Sequence, residues 1–167
     1  MKALFIILCV ICIIIPIVVY TCGIINAIQM DVNCIEYLNL AADANSVDLA
    51  YKHLTTAINY LETHSLTSGN TSFIIISPSN DISFWYDNLK SAQTQLEYLS
   101  SKEDLTDLEE SNALMKLRET LLDEGSVTHP SMISFYPNHV AWSITFFSIW
   151  LLWVLAVIFG LCAAEAY

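Results

Sequence analysis

The chain has 167 residues, 55% of them apolar, with 6 bases against 17 acids and a formal net charge of −11. Charged residues make up 14% of it, against about 25% in a soluble domain, which excludes a single water-soluble globule. After two membrane segments the length leaves room for one small domain, not for a multi-domain enzyme.

The acids are confined to the middle. No Asp, Glu, Lys or Arg lies between Lys2 and Asp31, nor between Glu124 and Glu165, so residues 31–139 hold 16 of the acids and 5 of the bases. Such a domain repels nucleic-acid phosphates, which require Lys and Arg, and equally repels anionic lipid.

Residues 1–30 are expected to form a first transmembrane helix. The apolar run 3–28 is long enough to cross a hydrocarbon core of about 30 Å, and Pro16 should kink it. A cleaved signal peptide is the alternative, with Lys2 as its n-region and Thr21-Cys22-Gly23 as its small-residue site. The apolar run resumes after Gly23, which favours a retained anchor.

Residues 31–139 read as a helical bundle. Val32, Ile35, Leu38 and Ala42 place one side of 31–44 inward, before a break near Asp43–Ser46. From Ser46 the residues Val47, Tyr51, Leu54, Ile58 and Leu61 recur at helical spacing, with Ala50 and Ala57 beside them. Pro78-Ser79-Asn80-Asp81 marks the next start. Ile82, Trp85, Leu89, Ala92, Leu96 and Leu99 then form a heptad seam of the coiled-coil kind, with Trp85 as a core anchor. Thr106 and Glu109 form a capping box. In the helix after it, Leu105, Leu108, Met115 and Leu122 make one stripe, with Leu114, Leu117 and Leu121 alongside and Asn112 at a water-facing edge. Gly125 supplies the stop. Helices with a single apolar stripe are not stable alone, so three to four of them should close into an antiparallel bundle. The apolar tetrad Phe73-Ile74-Ile75-Ile76, in the loop 65–80, is a candidate plug capping the bundle, with a short strand or a patch for a partner or the lipid surface as alternatives. Asn70-Thr71-Ser72 is an N-glycosylation sequon, meaningful only in a eukaryotic source.

Residues 140–164 are expected to form the second transmembrane helix, followed by the short tail 165–167. Phe135, Tyr136 and Trp142 suit one membrane interface. Trp150 and Trp153 fall nearer mid-span, where they face lipid or a partner helix. Neither span carries an ionisable acid or base, which argues against a channel or transporter. Lys2, as the lone flanking base, puts the N-terminus in the cytoplasm; two spans return the C-terminus there and leave 31–139 outside. Cys9, Cys12, Cys22 and Cys162 lie in the spans. Cys34 stands alone in the outer domain, as a packed thiol or as a bridge between two copies.

No motif for chemistry emerges. His53 and His64 are eleven residues apart on one helix, about 16 Å, too far to share a metal; His129 and His139 lie in the uncharged approach to the second span. Glu109-Glu110 and Asp123-Glu124 suit a solvated acidic face. No catalytic, cofactor or metal residue is assigned, and no cofactor is expected.

Ala41-Ala-Asp-Ala-Asn45, Leu66-Thr-Ser-Gly69, Phe84-Trp-Tyr-x-Asn-Leu-Lys90 and Leu114-Met-Lys-Leu-Arg-Glu-Thr-Leu121 resemble segments of small bacterial membrane proteins without an assigned activity. These too set such a domain between two hydrophobic ends. The resemblance implies a bacterial inner-membrane setting and nothing catalytic. The arrangement also resembles that of helical sensor domains in chemoreceptors and histidine kinases, but a three-residue tail offers no signalling output.

The sequence therefore predicts an all-α membrane protein in which two transmembrane helices flank an antiparallel bundle. Its expected function is structural or accessory, the outer bundle associating with another membrane protein or with itself. The alternative is a ligand-sensing module that signals through a separate membrane partner. The candidate interaction residues are Phe73, Ile74, Ile75, Ile76, Trp150 and Trp153; the lipid bilayer is a partner and nucleic acid is not.

Overall fold

From Lys2 to Ala42 the sequence holds one proline and one glycine, and the helix there is uninterrupted. The computed structural model describes residues 2–72 and 77–165, with side chains from Ile14 to Val157 except Ile15, 73–76, Leu155 and Ala156. Helix α1 (Lys2–Met30) runs through Pro16 and passes at Asp31–Ile35 into a π-helical stretch, which continues as α2 (Glu36–Ala42). A π turn holds more residues than an α turn and shifts the phase of the helix beyond it. Cys34, Leu38, Ala41 and Ala42 are therefore buried, while Val32, expected inward, is exposed.

Helix α3 (Val47–Thr63) starts at Ser46, whose hydroxyl accepts the Leu49 N–H. Its expected stripe is the centre of the core. Val47, Ala50, Leu54, Ala57, Ile58 and Leu61 are all buried, and Tyr51 is half-buried against them. Helix α4 (Ile82–Ser100) is capped by Asp81, which accepts the N–H groups of Ser83 and Phe84. Helix α5 (Asp107–Leu121) opens with the predicted reciprocal box. The Glu109 N–H reaches the Thr106 hydroxyl, and the Thr106 N–H reaches the Glu109 carboxylate.

Polar pairs fix the helix directions. Between α3 and α4, Glu62 meets Tyr86 and Lys90, Thr55 meets Gln93, and Asp48 meets Ser100. Between α4 and α5, Gln95 meets Lys116, and Lys102, two residues past the end of α4, meets Glu109 in the first turn of α5. In each pairing the numbers rise on one helix as they fall on the other, which makes the neighbours antiparallel. Helix α3 packs on both α2 and α4, and α5 closes against α2. The core is apolar throughout, with Cys34 its lone thiol among the described residues.

Two features depart from the expected pattern. On α5 the inward residues are Leu117 and Leu121, with Leu114 half-buried; Leu108 and Met115 are 70% and 58% exposed. With this face inward, Glu110 accepts the Val47 N–H at 3.0 Å, a long-range bond consistent with that rotation of α5. Past α5, Gly125 does not simply end a helix. Leu122–Asp123 and Ser126–Val127 pair as a two-stranded antiparallel hairpin, β1 and β2. Its two turn residues, Glu124 and Gly125, both have positive φ, the type I′ geometry that matches strand twist.

The loop after α3 folds back on the start of α4. Thr71 N–H donates to Asn80 O, Ile82 N–H donates to Gly69 O, and the Tyr136 ring lies over Gly69. Phe73, Ile74, Ile75 and Ile76 lie outside the described residues.

Helix α6 (His139–Glu165) returns beside α1. Buried Pro16, Gly23 and Met30, each seven apart, mark the inward face of α1. Gly23 leaves room for the rings of Phe135 and Phe146, each 3.4 Å from where a Cβ would stand, as small residues do at close helix contacts. Tyr20 and Phe146 also meet, at 5.2 Å between ring centres. The outward faces are apolar and exposed, including Ile17, Ile24 and Ile28 on α1 and Ile144, Phe147 and Val157 on α6. Among the described residues, Pro16–Ala42 is long and apolar enough to cross a membrane; His139–Val154 is apolar but shorter.

Candidate functional site

Helices α4 and α5 are splayed along a groove, and its residues follow from the phase of each helix. On α4 the seam residues Ala92, Leu96 and Leu99 form the floor, and Asn88, Ser91 and Gln95 stand one step round as its wall. On α5 the floor is Ala113 and Leu117, and the wall is Lys116 and Thr120. The space is about 200 Å³ and is spanned at one point by Lys116 Nζ donating to Gln95 Oε1, 3.2 Å.

At the start of α4 the groove widens into a cleft of about 560 Å³. Asn88 and Thr120 line both spaces, so the two are continuous. Phe84 and Trp85 form one side of the cleft, and Val127, His129 and Pro130 form the other. The sides are tied by the Trp85 indole N–H, which donates to Thr128 O at 2.8 Å. Trp85 is half-buried: it packs against the core as the seam predicts, and its other side forms a wall of this cleft. Phe84 is 61% exposed at the mouth.

The electrostatics are acidic and set by local pairs. Lys102 donates to Glu109 at 2.6 Å, and this bond, followed by those from Thr106, holds the Glu109 carboxyl down to about 2. On the α3–α4 face, burial and then the bond to Glu62 push the Tyr86 hydroxyl up to about 12. The Glu62 carboxyl is held below its usual range by Tyr86 first and Lys90 second.

The histidines stay apart in role. His64 lies against the Tyr60 ring, 4.1 Å between centres, and His53 lies near Tyr37. His139 is buried, stacked on Tyr136, and its Nδ1 has no hydrogen-bond partner among the described residues. Among the described residues no three His, Cys, Asp or Glu converge as a metal site requires.

Of the residues singled out in the sequence, Trp150 and Trp153 are exposed on the surface of α6, and neither lines the groove. The structure does not bring them together with the α4–α5 surface. The groove itself is not among the sequence expectations. Its signal is the row Asn88, Ser91 and Gln95 beside the α4 seam, facing Lys116 and Thr120 one turn apart on α5. No protein-family model, curated protein or solved structure matches the chain.

Proposed function

We propose that this protein is a membrane-anchored, non-catalytic docking module whose helical bundle holds a partner protein in the α4–α5 groove. The observation that carries the reading is the groove, open along one side of a bundle whose described core is apolar. A sensor of small ligands would be better served by a polar pocket enclosed between the helices. The α4–α5 groove and its cleft are instead open to the surface.

The anchoring part of the proposal is that α1 and α6 both cross the bilayer. Three facts support it. The two helices have 29 and 27 residues, about 40 Å each. Their described outer faces are apolar and exposed. Their hydroxyls bond within the helix, Thr21 to Ile17 O, Thr145 to Ala141 O and Ser148 to Ile144 O, as polar groups must in lipid. The setting follows the resemblance to small bacterial inner-membrane proteins, with 31–139 outside the cytoplasm.

A photo-crosslinking amino acid placed at Asn88, in the groove, should yield an adduct of defined mass in native membranes. The same group at Asn59, exposed on α3, should not. Equal or no crosslinking from the two positions would remove the groove from the account.

A further inference from the structure

Charge selects the occupant. Residues 31–139 carry 16 acids and 5 bases, and three of those bases are already paired, Lys90 with Glu62, Lys102 with Glu109 and Arg118 with Asp43. Lys116, which lines the groove, donates to the neutral Gln95 amide and keeps its charge, so the carboxylates that attract a cation stand at the cleft end and on the outer α4 face rather than in the groove floor. Asp81 is the carboxylate lining the cleft, and at 100° per residue Asp87 falls on the α4 face beside Phe84 and Ser91. A second copy of the chain would bring a net −11 against another −11, so self-association along this face is repelled. An acidic partner is repelled for the same reason, and a cationic one is steered inward.

The shape narrows the class further. Along α4 the groove follows a helix of 19 residues, about 28 Å. Its floor is aliphatic, its walls are short and polar, and its wide end offers aromatic faces from Phe84 and Trp85. That combination suits an amphipathic helix laid between two antiparallel helices, with Lys or Arg on its outer side near the acidic rims and the aromatic faces.

We infer that the α4–α5 groove binds a cationic amphipathic helix of a partner polypeptide. This rests on reading the groove as a docking surface and adds the chemistry of what docks. The test uses the full chain in nanodiscs of zwitterionic phosphatidylcholine and two dye-labelled synthetic helices of about 18 residues, five turns. Both peptides share one Leu/Ala face; one carries Lys and the other Glu on the opposite face. By fluorescence anisotropy, corrected for empty nanodiscs, the Lys peptide should bind about tenfold tighter or more. The preference should shrink as salt is raised toward about 0.5 M. Asn88→Arg should weaken the Lys peptide about tenfold, and Asn59→Arg should leave it unchanged. Should Asn88→Arg lower the folding midpoint, Ser91→Arg, exposed on the same wall, replaces it.

Equal affinity for both peptides overturns the inference, as does Lys-peptide binding that neither Arg variant of the groove weakens. Dimers of the chain alone that dissolve in Asn88→Arg would make a second copy the occupant and overturn it too. If Asn88 crosslinks a partner in native membranes but the Lys peptide neither binds nor competes, the docking reading stands and the cationic occupant falls. If neither crosslink nor peptide binding is seen, both fall together.

Discussion

Leu54 and Met115 are both apolar residues on amphipathic helices, yet they belong to opposite sides of the molecule. Leu54 is fully buried, and Met115 is more than half exposed. Leu54→Ala should cost about 2–5 kcal/mol, and Met115→Ala within about 0.5 kcal/mol, read as urea midpoints of the detergent-solubilised chain. Similar losses would mean that α5 turns its other leucine face inward. This pair also shows where the sequence is legible. Helix α3 has one apolar stripe and therefore one possible rotation. Helix α5 has leucines on two faces, and the choice between them rests on long-range packing against α2, α3 and α4 and the bond from Val47 N–H to Glu110, which spacing cannot show.

Glu109 supplies a pH test at the same scale. Its folded carboxyl titrates at about 2, below its ordinary 4.5. Its contribution is therefore complete above pH 4.5 and is lost as pH falls toward 2. Glu109→Gln keeps a capping side chain but removes the charge. The native chain should be the more stable at neutral pH, and the gap should close between about pH 4.5 and 2. A gap independent of pH would remove the Lys102 pair as its source.

At the scale of elements, helix starts are the most legible features. Ser46, Asp81 and Thr106 each cap the helix predicted after them, because a cap is a local bond between residues two or three apart. The hairpin after α5 escapes a sequence reading, because two residues per strand leave no alternation to read. The same holds for the π-helical stretch, whose phase shift is invisible to a fixed period of about 3.6 residues. Two glycines test these local structures. Gly125 has positive φ with open space around it, so Gly125→Ala should cost only the backbone strain, about 1 kcal/mol. Gly69 has φ +113, and an added Cβ would stand 2.6 Å from Cζ of Tyr136. Gly69→Ala must also displace that ring, so it should lower the thermal midpoint clearly more than Gly125→Ala. The reverse order would place Tyr136 away from the loop.

At the scale of the whole molecule, the proposed arrangement is an acidic bundle held outside a membrane by two apolar helices. Two long helices stand where the uncharged runs predict them, and the bundle between them has the predicted antiparallel order. The open side of that bundle is hidden from the sequence, because a groove is the difference between two helix phases and their splay. Sidedness is the claim on which the partner, the charge argument and the setting all depend. Cys34, completely buried, is silent to a polar reagent, so a new thiol is needed in the exposed loop at Ser68. The most direct measurement is labelling of Ser68→Cys, with Cys9, Cys12, Cys22 and Cys162 replaced by Ala, using a membrane-impermeant maleimide on spheroplasts before and after lysis. Full labelling of Ser68→Cys before lysis, with Cys34 unlabelled until the chain is denatured, is the predicted result; labelling only after lysis would contradict the account.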